Sequence, residues 1–359
     1  MRIAIIGTGN VGCALAADLS YKGHEITLLK SSRSYRSPGY DYIKQCGIIR
    51  VSDPYLGDYS SHVTCYDRSV YERVIPNSEV IIIAVQTNYH ESIIKDISQH
   101  LKDGHIVVFE PGYLSTCYLL KYTDKEVISI EGESSPIDCR VNKDGVVQVL
   151  FKNVLNPFGV FPKSKQSTAE RVLKSLGFPF RLLDNVFEAA LHNPNLIVHT
   201  VGALFSIPRI EYTRGDYWMY KEVFTPHVWN VCEALDKEKL HILSELGITH
   251  QQSYVIACKE RNYTNDNRDP LDCFFDYALN SSPKGPSVPD SRYLTEDVSQ
   301  GLVLLESLGI HFNVATPTCT SLITLAEKAL GMDFRISGRT LQKLGGANLN
   351  IINDDFLKN

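Results

Sequence analysis

Three glycines near the start of the chain have the spacing that binds the phosphates of a dinucleotide. They form the pattern G-x-G-x-x-G directly after an apolar run at residues 3–6 and before an apolar helical pattern at residues 14–19. The first glycine of such a pattern allows a tight turn, the second lets the backbone approach a pyrophosphate, and the third lets the helix pack closely on the strand. The helix N-terminus then faces the phosphate charge. The alternative is a structural turn that binds nothing. The predicted cofactor-binding residues of this turn are Gly7, Gly9, Asn10, Val11 and Gly12.

The residues after the second predicted strand, at positions 25–29, indicate which dinucleotide is preferred. An NAD site usually has Asp or Glu about 20 residues past the glycines, where it accepts hydrogen bonds from the ribose 2′-hydroxyl. This chain has Lys30, Ser31, Ser32 and Arg33 instead. A lysine, hydroxyls and an arginine supply charge and donors for a 2′-phosphate. We therefore predict NADP, with NAD as the second choice, and Lys30, Ser31 and Arg33 as binding residues. A solvated basic loop is the alternative.

The elements that position these residues alternate between strands and helices. Apolar runs at 80–85, 105–109 and 127–130 predict buried parallel strands, a helix is predicted at 91–101, and further strands at 146–151 and 159–161. This pattern is typical of an α/β Rossmann fold with a doubly wound parallel sheet, which binds ligands at the carboxyl ends of its strands. The loops after Val85 and Phe109 are therefore expected to flank a nicotinamide, with Val85, Pro111 and Gly112 as contacts.

Helical signals replace this alternation after Asp184. Thr225-Pro226 has the form of an N-cap followed by proline at the first helical position, and residues 231–247 and 316–331 have helical patterns. A polar segment at 261–290 predicts a long excursion dominated by loops. We therefore predict a Rossmann domain at 1–184 and an all-α domain at 185–359.

Composition is that of an ordinary globular protein and argues against several functional classes. The 359 residues are 43% hydrophobic and 21% charged, with a net charge of −5, which gives no basic field for nucleic acid. No apolar run approaches the ~20 residues that span a bilayer. Nine cysteines without a C-x-x-C pair suggest free thiols in a reducing cytoplasm. A strand at the N-terminus argues against a signal peptide, and no metal site is predicted.

The helical half contains two clusters of residues that packing alone does not explain. The first cluster lies at residues 191–202. If this segment is helical, Asn195, His199 and Ala203 share one face at spacings of four residues. That face offers an amide, an imidazole and room for a ligand. Taken alone, a histidine in this position is more often a satisfied core residue.

The second cluster combines a cation with two acids beside a predicted helix start. Arg292 is followed by Thr295, Glu296 and Asp297. Residues of these types also serve as helix caps and first-turn charges, which is the structural alternative.

Taken together, these residues resemble the opine dehydrogenases, which include octopine dehydrogenase and bacterial carboxyethyl-amino-acid dehydrogenases. The likeness covers nearly the whole chain and is most specific from Arg292 to Gly345. Besides the glycine turn, it includes residues 133–135, 139–140, 192–199, 220–228, 235–240, 292–293, 296–297, 301–303, 333–335 and 338–345.

The resemblance implies the reductive condensation of an α-keto acid, often pyruvate, with the amino group of an amino acid by NAD(P)H. It also implies a His-Asp pair and an arginine, which correspond to His199, Asp297 and Arg292. His199 would act as general acid/base, Asp297 would fix its tautomer, and Arg292 would clamp a substrate carboxylate. Lys30 departs from the acid of NAD-using members, and Tyr113 and Asp138 suggest a different substrate pocket.

Two other functions stay open on the sequence. A ketopantoate reductase-like enzyme relies on a lysine and a glutamate in its helical half; Lys237 and Glu238 are present, although their helix face suggests solvated charges. The other alternative is an NADP-sensing protein that has kept the fold but catalyses no reaction. The sequence leaves the two substrates and the oligomeric state undetermined, with a homodimer through the helical half as one option.

Overall fold

A computed structural model describes residues 1–32, 34–35, 37–264 and 266–357 of the chain. Its contacts define two compact units, one formed by Met1–Val186 with the segment from Asp354 onward, and the other by Phe187–Asn353. The functional division predicted at residue 184, into a cofactor domain and a substrate domain, stays a prediction.

The first unit is built on strands that begin with the predicted apolar runs. The strands of the described residues are β1 (Arg2–Ile6), β2 (Glu25–Leu29), β3 (Ile48–Ser52), β4 (Tyr59–His62), β5 (Thr64–Tyr66), β6 (Val80–Ile83), β7 (Ile106–Phe109), β8 (Ile128–Gly132), β9 (Ile137–Val141), β10 (Val146–Lys152), β11 (Asn156–Phe161) and β12 (Phe180–Leu182). The helices assigned here to this unit are α1 (Asn10–Tyr21), α2 (Tyr40–Cys46), α3 (Tyr71–Val74), α4 (His90–Ile97), α5 (Thr116–Tyr122) and α6 (Gln166–Leu176).

The main sheet has the strand order β5-β2-β1-β6-β7-β8-β11-β12. Its neighbours pair in parallel except β8 and β11, which are antiparallel. β6 and β7 are buried along their whole length, as expected for parallel strands covered on both faces. The predicted Rossmann fold is therefore confirmed. Because β1 lies between β2 and β6, the strand order reverses there, and ligands of such sheets bind at this reversal.

A second sheet, which the sequence analysis missed, has the order β4-β3-β10-β9. The predicted strand at 146–151 exists as β10, but it pairs with β9 and β3 in this smaller sheet. The side chains of β9 alternate between buried and exposed, so the sheet has one core-facing side.

The second unit is helical. Its helices, with α7 starting at the unit boundary and α19 extending past it, are α7 (Val186–Leu191), α8 (Asn195–Phe205), α9 (Ile207–Thr213), α10 (Met219–Glu222), α11 (Pro226–Glu245), α12 (Tyr254–Asn262), α13 (Pro270–Asn280), α14 (Arg292–Thr295), α15 (Val303–Phe312), α16 (Pro317–Leu330), α17 (Phe334–Ser337), α18 (Leu341–Leu344) and α19 (Gly346–Leu357). Thr225 is the N-cap position of α11 with Pro226 first in the helix, as predicted.

The prediction of a loop-dominated excursion at 261–290 is wrong for its central part. α13 occupies Pro270–Asn280, because Asp269 accepts a hydrogen bond from Leu271 N at 2.8 Å and Cys273, Phe274 and Ala278 form a buried face. Within the described residues, we find no helix long and apolar enough to cross a membrane.

Candidate active site

The glycine turn after β1 leaves no room for side chains at two of its three glycines. Gly7 has φ +129°, and a Cβ built there would lie 2.3 Å from the carbonyl oxygen of Ala84. A Cβ on Gly12 would lie 1.7 Å from the carbonyl oxygen of Gly7. Both distances are far below van der Waals contact, so only glycine allows this close approach of β1, β6 and α1.

Gly9 is different, because a Cβ built there would meet no atom within 4 Å. Gly9 is the N-cap position of α1 and has no side chain that could cap the first backbone N–H groups of the helix. A cradle of this kind suits a pyrophosphate. The neighbouring Asn10 has a second task, since its Oδ1 accepts a hydrogen bond from Val141 N in β9 at 2.9 Å. Val11 is half-buried beside it.

The basic loop after β2 folds back toward the glycine turn. Lys30 is only 7% exposed, and its Nζ donates to the carbonyl of Ser32 at 2.7 Å. Ser37 donates to Thr8 Oγ1 at 2.9 Å and also contacts the carbonyl of Thr8, which ties the loop to the turn. Ser31 is half-buried. Arg33, the remaining predicted contact, lies outside the described residues.

The loops after β6 and β7 are joined by a histidine that the sequence analysis did not identify. His90 is fully buried, with Nε2 3.2 Å from the carbonyl of Val85 and Nδ1 2.7 Å from Ser115 Oγ. Ser115 Oγ in turn donates to the carbonyl of Gly112 at 2.7 Å. The predicted nicotinamide contacts Val85 and Gly112 are thereby linked through one imidazole, and Pro111 lies half-buried before Gly112.

Glu131 determines the shape of the loop at Gly112. Its carboxylate is fully buried and accepts hydrogen bonds from Leu114 N at 2.8 Å and Thr116 N at 2.7 Å, at the start of α5. A Cβ on Gly112 would lie 1.9 Å from Glu131 Oε2. Tyr113 and Leu114 have φ values of 52° and 63°, a conformation that costs energy for non-glycine residues. The carboxylate therefore holds a strained turn at the end of β7.

A second carboxyl at this end of the sheet faces the apolar core. Glu110 lines a small cavity between α1 and α6, and burial raises the pKa of its carboxyl well above the ordinary value. Burial therefore favours the neutral form of this carboxyl.

The helical unit brings His199 and Asp297 together across 98 positions of sequence. His199 Nδ1 lies 2.8 Å from Asp297 Oδ2, and the two residues are 8% and 1% exposed. An ionised carboxylate only accepts hydrogen bonds, so the imidazole proton lies on Nδ1 and the Nε2 lone pair is left for chemistry. His199 lies in the middle of α8, and Asp297 begins a π-helical turn at Asp297–Leu302. Such turns are frequent at functional sites.

Arg292 lies one helical turn from Glu296 and forms an ion pair with it. The Nε–Oε2 distance is 3.4 Å, with the arginine side chain 48% exposed and the glutamate 4% exposed. Residues 292 and 296 form one i,i+4 row on this segment, and Tyr293 and Asp297 form the adjacent row. The Arg292 side chain is therefore accessible to a ligand, while the buried Glu296 carboxylate restrains its position.

The same segment contains a contact that the sequence analysis missed. The ring of Tyr293 stacks on the imidazole of His199 with centroids 3.7 Å apart and planes 5° apart. Asn195 begins α8, one turn before His199, and its backbone N–H donates to Asn193 Oδ1 at 2.9 Å. The i+4 spacing of Tyr293 and Asp297 was the available signal, but nothing in the sequence paired that face with α8.

One of the two residues that would support a ketopantoate reductase-like site differs from the prediction. Glu238 is buried rather than solvated, because its carboxylate accepts from Thr318 N at 2.7 Å and Cys319 N at 2.9 Å. It therefore caps α16. Lys237 is exposed, as predicted.

Two family models match the chain in separate segments. The model described as NAD/NADP octopine/nopaline dehydrogenase, alpha-helical domain, matches residues 182–330. The model described as ketopantoate reductase PanE/ApbA matches residues 3–130. An opine dehydrogenase of Arthrobacter sp. (strain 1C) is 27% identical over 354 residues, with 96% of this chain and 95% of that protein covered.

Solved structures show the same fold over the whole chain. A structure of octopine dehydrogenase in complex with NADH and agmatine gives a TM-score of 0.77 at 17% identity, covering 99% of this chain and 98% of that one. An NADP⁺-bound yersinopine dehydrogenase gives 0.73 at 16% identity, covering 100% and 99%.

The matches to the octopine/nopaline dehydrogenase helical domain and to an opine dehydrogenase identify the chain as an NAD(P)-dependent oxidoreductase. The resemblance to the opine dehydrogenases is confirmed, and the chain is an oxidoreductase of the opine dehydrogenase type, which acts on CH–NH donors.

Proposed function

We propose that this enzyme condenses an α-keto acid, such as pyruvate, with the amino group of an amino acid and reduces the resulting imine. The observation that carries the proposal is the buried His199–Asp297 pair beside a half-exposed arginine, in a chain of the opine dehydrogenase type. An acid/base group suits imine formation, and a guanidinium suits a substrate carboxylate.

His199 moves protons during formation of the imine. Its free Nε2 accepts a proton from the substrate ammonium, so that the amine lone pair can attack the keto carbon. The protonated imidazole then donates to the carbinolamine hydroxyl, which leaves as water. Asp297 holds the ring and stabilises the imidazolium between these two transfers.

Arg292 binds a carboxylate of the substrates. Its planar guanidinium can form two parallel hydrogen bonds to one carboxylate, a geometry that lysine cannot reproduce. Glu296 restrains the side chain through an ion pair whose Nε–Oε2 distance is 3.4 Å.

A bound dinucleotide would supply the hydride for reduction of the imine carbon. We propose that Gly7, Gly9, Asn10, Val11 and Gly12 hold its phosphates and that Val85, Pro111 and Gly112 contact the nicotinamide. NADP is the proposed first choice because Lys30 and Ser31 follow β2, with Arg33 as a further contact. The yersinopine dehydrogenase structure with NADP⁺ supports this choice, and the octopine dehydrogenase structure with NADH keeps NAD as the second.

Lys30→Asp tests the cofactor choice. A carboxylate after β2 repels a 2′-phosphate and accepts hydrogen bonds from a 2′-hydroxyl, so we expect the NADPH/NADH ratio of kcat/KM to fall about 10- to 100-fold. Lys30→Gln removes the charge alone and should give a smaller change. Lys143→Asp, at an exposed lysine of the same unit, is the matched control. An unchanged ratio in Lys30→Asp would place the 2′-phosphate elsewhere.

The proposed reaction is tested by NADPH oxidation across a matrix of keto acids and amino acids. We expect little oxidation with keto acid alone and a large increase when a suitable amino acid is added. Rapid oxidation with keto acid alone would instead support a ketopantoate reductase-like enzyme, the class whose family model matches residues 3–130.

A further inference from the structure

We propose that Tyr293 is a positioning residue for His199, which fixes the plane of the imidazole while Asp297 fixes its edge. The inference rests on the proposed acid/base role of His199. It assigns a function to an aromatic contact that the reaction scheme does not otherwise use.

The stack is close and nearly parallel. The centroids lie 3.7 Å apart with 5° between the planes, whereas aromatic pairs in proteins usually keep their centroids about 4.5–7 Å apart in offset or edge-on arrangements. The two faces therefore overlap almost fully, and the imidazole cannot tilt without moving the phenol ring.

Tyr293 and Asp297 restrain different motions of the same ring. They lie one helical turn apart on adjacent segments, α14 and the π-helical turn, so both side chains project toward α8. The bond at Nδ1 fixes one atom of the ring edge but allows rotation about that contact. Rotation about χ2 of histidine is otherwise broad. The stacked ring removes this remaining freedom and keeps the direction of the Nε2 lone pair constant.

The direction of that lone pair decides the rate of proton transfer. Catalytic groups must lie within hydrogen-bond reach and in line with the proton that they move, and a small misplacement costs about 100-fold in rate. A positioning role therefore predicts an effect on kcat more than on KM. A purely packing role predicts an effect on stability instead.

The test compares Tyr293→Phe with Tyr293→Leu in steady-state kinetics with NADPH and the best pair of substrates. We expect Tyr293→Leu to lower kcat about 10- to 100-fold with little change in KM. Tyr293→Phe keeps the stacked ring and should stay within about fivefold of wild type. Tyr212→Leu, at a tyrosine 86% exposed on α9 of the same unit, should leave kcat unchanged.

A double-mutant cycle shows whether Tyr293 acts through His199. When His199→Gln is already present, adding Tyr293→Leu should lower the residual rate no further. The ¹⁵N spectrum of the imidazole of His199 gives a readout independent of turnover: one narrow tautomer signal in wild type and Tyr293→Phe, and a broadened signal in Tyr293→Leu.

The outcomes separate the two claims. Wild-type kcat in Tyr293→Leu, with His199→Gln inactive, overturns the positioning role and leaves the proposed function intact. Full activity in His199→Gln overturns the acid/base role proposed for His199, on which the inference rests. If Tyr293→Leu does not fold, Tyr293→Met provides the same contrast, and equal kcat in the Met and Phe variants also overturns the positioning role.

Discussion

His199→Ala is expected to lower kcat for the two-substrate reaction by about 10²- to 10⁴-fold, the usual contribution of a general acid/base. The imidazole is 8% exposed and its Nδ1 is bound to Asp297. When the imidazole is removed, Asp297 cannot replace Nε2 as the acid/base group. NADPH should bind with unchanged affinity, because the proposed phosphate contacts lie in the other unit. Stopped-flow turnover and fluorescence titration of NADPH measure the two quantities.

Asp297→Asn is the companion variant. An amide can present N–H to Nδ1 and so stabilise the wrong tautomer, and we expect a loss of kcat about as large, 10²- to 10⁴-fold. Asp290→Asn, at an exposed aspartate of the same unit, is the matched control and should have wild-type kcat. If Asp297→Asn retained full activity, Asp297 would be only a structural partner of His199.

Gly9→Ala is expected to weaken NADPH binding, whereas Gly12→Ala is expected to lower folding stability. A Cβ on Gly9 meets nothing in the protein but enters the space assigned to the pyrophosphate. We expect Kd for NADPH to rise at least about tenfold, or about 1.4 kcal/mol, with an unchanged melting temperature. A Cβ on Gly12 lies 1.7 Å from the oxygen of Gly7, so this variant should lose about 3 kcal/mol or more of folding stability.

Calorimetry and NADPH titration of both variants, with Gly346→Ala as control, distinguish the two effects. Gly346 also has no atom within 4 Å of a built Cβ, so its substitution should change neither quantity. Wild-type NADPH affinity in Gly9→Ala would show that the phosphates bind away from this turn.

The main sheet could be predicted because its strands are continuous apolar runs. β6 is buried at every position, and a run of that kind is a strong signal for a covered parallel strand. The smaller sheet was not predicted, because it depends on a pairing distant in sequence, that of Val146 in β10 with Arg50 in β3. α13 was missed since polar residues surround it, although Asp269-Pro270 is an N-cap signal.

The candidate site could be predicted only in part. His199 and Asp297 were matched through the family resemblance, since spacing alone does not pair residues 98 positions apart. The Tyr293 stack and the His90 link between the two loops depend on how faces of separate elements meet. Burial of Glu238 was missed because its role, capping the distant α16, depends on tertiary contact.

The most direct test of the proposed reaction follows the hydride and the nitrogen into one product. The enzyme is incubated with NADPH carrying deuterium at the transferred position, pyruvate and a ¹⁵N-labelled amino acid that supports turnover, and the products are analysed by mass spectrometry. We predict a secondary amine that contains both ¹⁵N and one deuterium on the former keto carbon. Deuterium in lactate, with the labelled amino acid recovered unchanged, would contradict the account.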